Sequence, residues 1–102
     1  MRLSESSDED EIYLFERVVV HLQSRYAYLP HEAQRLVNDY YANFTDSVFC
    51  EKFHIPVQNV DFFCHMEAVA MADRVHYYQG LRHTPDERTF IEWQRKIHFG
   101  SE

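Results

Sequence analysis

Apolar residues at Ile12, Phe15, Val19, Leu22, Tyr26 and Leu29 follow one another at intervals of three and four. That spacing places them on one stripe of an α-helix of about five turns. Pro30 ends this helix or opens the next as its first residue. A second stripe runs through Ala33, Leu36, Val37, Tyr40, Tyr41, Phe44 and Val48, interrupted by the capping residues Thr45, Asp46 and Ser47. The second helix is therefore expected to stop near Asn43, with a short third one beginning after Asp46. Val57, Val60, Cys64, Ala68, Met71, Val75 and Tyr78 form the longest stripe, ending at Gly80. Thr84-Pro85-Asp86-Glu87 is a helix start, with Thr84 as cap and Pro85 in the first turn. Phe90, Trp93 and Ile97 give that helix its face, and Gly100 stops it. Two Gly and three Pro are too few turn formers for a chain of hairpins. The expected fold is all-α, a compact four- to five-helix bundle or orthogonal array.

The stretch Val48 to Phe63 has the spacing of a helix-turn-helix-like corner around Ile55-Pro56. Phe49 and Phe53 share the inner face of a first short helix, and Cys50 is small where a second helix would cross. Pro56 lacks an amide hydrogen and disfavours helical backbone at Ile55. Val60 and Phe63 then recur on the inner face of the next helix. Such a corner is either plain architecture or a reader of DNA. A reader would offer Gln58 and Asn59 to base edges and Arg74 to a phosphate.

Charge weighs against DNA. The 102 residues carry a formal charge of −7, and residues 1–73 hold 5 Lys and Arg against 13 Asp and Glu. Neutralising phosphates is the dominant source of DNA affinity, and this chain scatters its few cations. Five acidic residues lie among the first eleven, with Ser and no apolar run. Residues 1–10 are expected to be a disordered acidic tail ahead of a single helical domain over residues 11–102. That start lacks the apolar core of a signal peptide, and no apolar run reaches the roughly 20 residues that span a bilayer. A cytoplasmic protein with reduced cysteines is expected.

Tyr40 and Tyr41, like Tyr77 and Tyr78, are neighbours in sequence and point about 100° apart on a helix. Some of them are therefore expected on the surface, where Tyr and Trp favour interfaces. The expected function is a small acidic protein-interaction module: a regulator, anti-factor or immunity-type inhibitor covering a surface on another protein. Complementarity to a net charge of −7 suggests a basic partner surface. A homodimer is a second possibility. The expected contacts are Tyr40, Tyr41, Tyr77, Tyr78 and Trp93, rimmed by Glu32, Asp39 and Asp73. Cys50, His54, Cys64 and His65 are a weak zinc alternative, because adjacent Cys64 and His65 diverge and no C-x-x-C knuckle is present. No phosphate loop, nucleophile elbow or zinc-protease motif occurs, so neither an enzyme nor a cofactor is expected.

Overall fold

The first helix begins with Asp8, whose carboxylate accepts from the Glu11 amide at 3.0 Å. Glu9, Asp10 and Glu11 fill its first turn, where carboxylates are favoured by the helix dipole. The computed structural model describes residues 8–98, with the side chains of Val60, Cys64 and His98 outside that set. Of the expected tail, residues 9 and 10 form the start of helix α1 (Glu9–Tyr26) behind its cap Asp8, and residues 1–7 lie outside the described residues.

Ala27 turns the chain in the left-handed conformation (φ 62°), and Pro30 opens α2 (Pro30–Phe44) as its first residue. Glu32 reaches back to accept from the Leu29 amide at 3.1 Å. Asp46 then caps α3 (Ser47–Lys52), accepting from the Val48 and Phe49 amides. After Ile55-Pro56, Asn59 caps α4 (Val60–Cys64) through the Phe62 amide. Helix α5 (Ala68–Val75) runs directly into a π-helical turn, His76–Gly80. A loop leads to α6 (Glu87–His98), and Asp86 accepts from the Arg88 amide at 3.0 Å. The described residues are all-α and contain no strand.

α1 and α2 form a hairpin, and α5 lies along α1, where Ala68 and Ala72 let the backbones approach. Phe15, Val18 and Leu22 of α1 meet Val37, Tyr40 and Phe44 of α2 and Met71 and Val75 of α5. Phe63 closes one end, edge-on to Phe15 with ring centres 5.2 Å apart. Phe90 of α6 packs on Tyr77 and Tyr78. A guanidinium crosses this interior: Arg74 grips Glu87 through two hydrogen bonds of 2.7 Å and lies 4.8 Å from the Phe90 ring centre. Burial works against its charge, but the Glu87 bonds prevail and its pKa rises.

Two sequence expectations are corrected. The longest stripe is not one helix but α4, a break at His65–Glu67, α5 and the π turn. The His65 ring takes the Asp61 carbonyl at 2.7 Å, the acceptor that the His65 amide would use in a continuing helix. The amide falls back on Phe62 instead, and the helix ends. Second, the last helix is capped by Asp86 rather than Thr84, with Thr84 and Pro85 left in the loop. The expected corner at Ile55-Pro56 is present and joins two short helices of six and five residues, with residues 53–59 non-helical, so that Phe53 lies just beyond the first of them. Cys50 packs under the end of α2, with its Sγ 3.5 Å from the Phe44 carbonyl.

Candidate functional site

The π turn organises the two places where polar chemistry concentrates. Its i→i+5 bonding is seen in the 2.8 Å bond from the Leu81 amide to the His76 carbonyl. Such turns are rare and occur often at functional sites. Gly80 ends the turn because of a close approach. A Cβ there would lie 2.0 Å from the Tyr28 hydroxyl.

One side of the turn faces α1 and encloses Asp73, which is fully buried. Arg25 Nη1 donates to its Oδ1 at 3.0 Å, the Tyr26 hydroxyl donates to the same oxygen, and Gln94 Nε2 donates to Oδ2 at 3.1 Å. Three elements are tied to one carboxylate in this way. Three residues on, His76 stacks flat on Tyr26 with ring centres 3.8 Å apart. Its Nδ1 lies 2.8 Å from the Tyr28 hydroxyl. Burial pushes the Tyr26 and Tyr28 phenols above their ordinary range, and Asp73 adds to the effect on Tyr26.

Burial lowers the His76 pKa from its usual value, and the Asp73 charge opposes this only in part. The groups facing the ring are Tyr26 and Tyr28, Asp73, Gly80 and Trp93. An unfolded histidine takes its proton near pH ~6.5, whereas folded His76 resists until a lower pH. The unfolded chain therefore binds more protons in that window. The His76 contribution is complete above about pH 6.5 and is lost as the pH falls toward the folded pKa. Urea midpoints followed from neutral to mildly acid pH should decline, and His76→Gln should flatten the slope. Equal slopes in the two proteins would contradict this.

Another side of the turn borders an open groove of about 690 Å3. Phe44 and Tyr78 form its floor, and Phe49 and Phe53 stand half-exposed above them. The Phe44 ring centre is 5.5 Å from that of Phe49, and Phe49 is 5.0 Å from Phe53. Asn43 Nδ2 donates to Gln79 Oε1 at 3.3 Å across the floor. Arg35 and Asp39 of α2 lie on one rim, and Arg82 and His83 lie on the other. Arg82 holds φ at 60°, a conformation costly for a residue with a Cβ. His83 is stacked on Tyr77 at 4.1 Å.

The residues expected to meet a partner are scattered through this architecture. Tyr40, Tyr77, Tyr78 and Asp73 are buried, so the expected contact face is corrected. The physical reason is that α2 and the π turn are covered on two sides. Tyr40 stacks on Phe44 while Tyr41 packs on Phe15 and Phe63. Tyr78 meets Phe44 and Phe90, while Tyr77 meets Trp93. Tyr41 also donates to buried Glu11 at 2.8 Å. Trp93 and Glu32 are half-buried, and only Asp39 is fully exposed at a groove. Of the DNA candidates, Gln58 is buried and accepts from the Tyr40 hydroxyl at 2.7 Å, Asn59 caps α4, and Arg74 is held by Glu87. In the zinc alternative, His54 and His65 are exposed and Cys50 is buried, its thiol pKa raised by that burial, while the Cys64 side chain lies outside the described residues.

Among the described residues, no three His, Cys, Asp or Glu side chains are grouped to hold a metal ion. No described helix is long and apolar enough to cross a membrane. The groove residues Arg35 and Arg82 were missed as site residues. The only signal for Arg82 was a basic pair, Arg82-His83, set in a loop between Gly80 and Pro85. Comparison of the chain with family models, curated proteins and solved structures gave no match.

Proposed function

We propose that this protein is a small interaction module that holds a segment of a partner polypeptide in the groove between α2, α3 and residues 76–85. The observation that carries the reading is the pair Phe49 and Phe53, half-exposed at the mouth of a groove already floored by aromatic rings. Covering such surface stabilises a complex by about 25 cal/mol per Å2 of apolar area. Aromatic rings in a concave site are where interface energy concentrates. The groove volume falls within the roughly 300–1,000 Å3 of pockets that bind small ligands or side chains. The Asn43 and Gln79 amides at the floor offer further donors and acceptors to an incoming main chain. The contact surface is then this groove, in place of a face built on Tyr40, Tyr77 and Tyr78. The duplex-DNA alternative is set aside, because Gln58, Asn59 and Arg74 are all engaged within the fold.

A randomised peptide library selected against the full chain tests the reading, with Phe53→Glu as the comparison target. Enriched peptides should bind the native chain and lose about tenfold or more in affinity on Phe53→Glu, the loss of one hot-spot residue. Circular dichroism should show the variant folded, since Phe53 is half-exposed beyond the end of α3. Enriched binding that ignores the substitution would overturn the groove as the site.

A further inference from the structure

We infer that the segment taken by this groove is acidic: it sets Asp or Glu side chains against Arg35 and Arg82 on either side of an apolar anchor. The inference rests on the reading of the groove as a polypeptide site, and adds the chemistry of the occupant.

The sign of the groove is opposite to that of the protein. The chain as a whole carries −7, yet the groove lining brings together Arg35 and Arg82 against Asp39 alone. Lys52, outside the groove lining, lies 5.5 Å over the ring of Phe53. Arg25 and Arg74 are held by internal carboxylates, Asp73 and Glu87, and Arg88 pairs with exposed Glu92, whereas Arg17 and Arg95 make no ion pair among the described residues but lie outside the groove. Arg35 and Arg82 are exposed, and neither makes an ion pair among the described residues. Even Asp39, four residues from Arg35 on the same helix, is not within ion-pair distance of it.

Arg82 follows the end of the π turn in the left-handed conformation, as Ala27 does after α1. Its φ of 60° is one that glycine takes without strain and an arginine does not. Its side chain lines the groove together with Tyr78 and Gln79. Guanidinium groups bind carboxylates through two parallel hydrogen bonds, a fit that lysine lacks. The end of α2 at Phe44 presents carbonyl groups with about half a negative charge, less than the full charges of the two arginines. A long polyanion fits less well than a short acidic segment. The charge of −7 repels it over a Debye length of about 8 Å, beyond the reach of one groove.

The test uses the full chain and peptides enriched by the selection described above. One peptide is synthesised as selected and again with every Asp and Glu replaced by Asn and Gln, and both are measured by fluorescence anisotropy. A labelled single-stranded oligonucleotide is included. Acidic residues should be enriched around the anchor, and neutralising them should weaken binding about tenfold or more, with the difference shrinking as salt rises. Arg82→Gly should leave the melting temperature unchanged or raised, and should remove most of the preference for the acidic peptide. Arg35→Gln should do the same in part. Enriched peptides that are neutral or basic, yet still lose affinity on Phe53→Glu, would overturn the acidic inference and leave the groove reading standing. Binding untouched by Phe53→Glu would overturn both. Tighter binding of the oligonucleotide than of the acidic peptide would overturn the inference in favour of nucleic acid.

Discussion

Asp73→Ala should destabilise the protein by about 3–5 kcal/mol, the range seen when one partner of a buried ion pair is removed. Asp73 is fully buried and accepts from Arg25, Tyr26 and Gln94. Without it, the donors from α1 and α6 face each other with no acceptor between them. The Arg25 side chain is 29% exposed, so its guanidinium can turn toward water. That relief places the expected loss near the lower end, at about 3 kcal/mol. Asp73→Asn should also be costly, because an amide presents donors where the site supplies donors. Urea denaturation of the three proteins measures this directly. A loss below about 1 kcal/mol for Asp73→Ala would show that the carboxylate does not hold these elements together.

Phe63→Ala should cost a similar amount, about 3–5 kcal/mol, as for other buried aromatic residues truncated to alanine. Phe63 is 2% exposed and, among the described side chains of α4, is the one buried in the core. Its ring meets Phe15 edge-on at 5.2 Å and Tyr41 at 5.8 Å. A helix of only five residues has little stability of its own, so its placement depends on such contacts. Phe62→Ala, at a half-exposed neighbour, should cost markedly less. Equal losses at the two positions would mean that α4 is not anchored through Phe63.

Local signals with a single physical cause were legible in the sequence. The stripe from Ile12 to Leu22 is buried along α1, Pro30 opens α2, and Asp46 separates α2 from α3 as its chemistry implies. Long-range partners were not. Nothing in the run Val57–Tyr78 marks a break, because the break comes from the His65 ring replacing its own amide at the Asp61 carbonyl. The rule that adjacent aromatics cannot both point inward holds for a helix covered on one side. It fails for Tyr77 and Tyr78, because α6 packs on both and α2 covers Tyr78 from another side. Asp73 was expected at the rim of a contact face, and His76 was assigned to no site. Their true partners, Arg25, Tyr26 and Tyr28, lie nearly fifty residues earlier and reach them only through the α1–α5 packing. The groove escaped for the same reason. Arg35, Phe49, Phe53 and Arg82 share no motif and meet only in the folded chain.

The central claim is that the groove is where this protein meets its partner. Amide and side-chain NMR shifts of the full chain, followed while the selected acidic peptide is added, test it residue by residue. The account predicts saturable changes centred on Arg35, Asn43, Phe49, Phe53, Gln79 and Arg82, with the exposed outer face of α1 at Tyr13 and Val20 unchanged. Changes centred on Tyr13 and Val20 with the groove silent would contradict it.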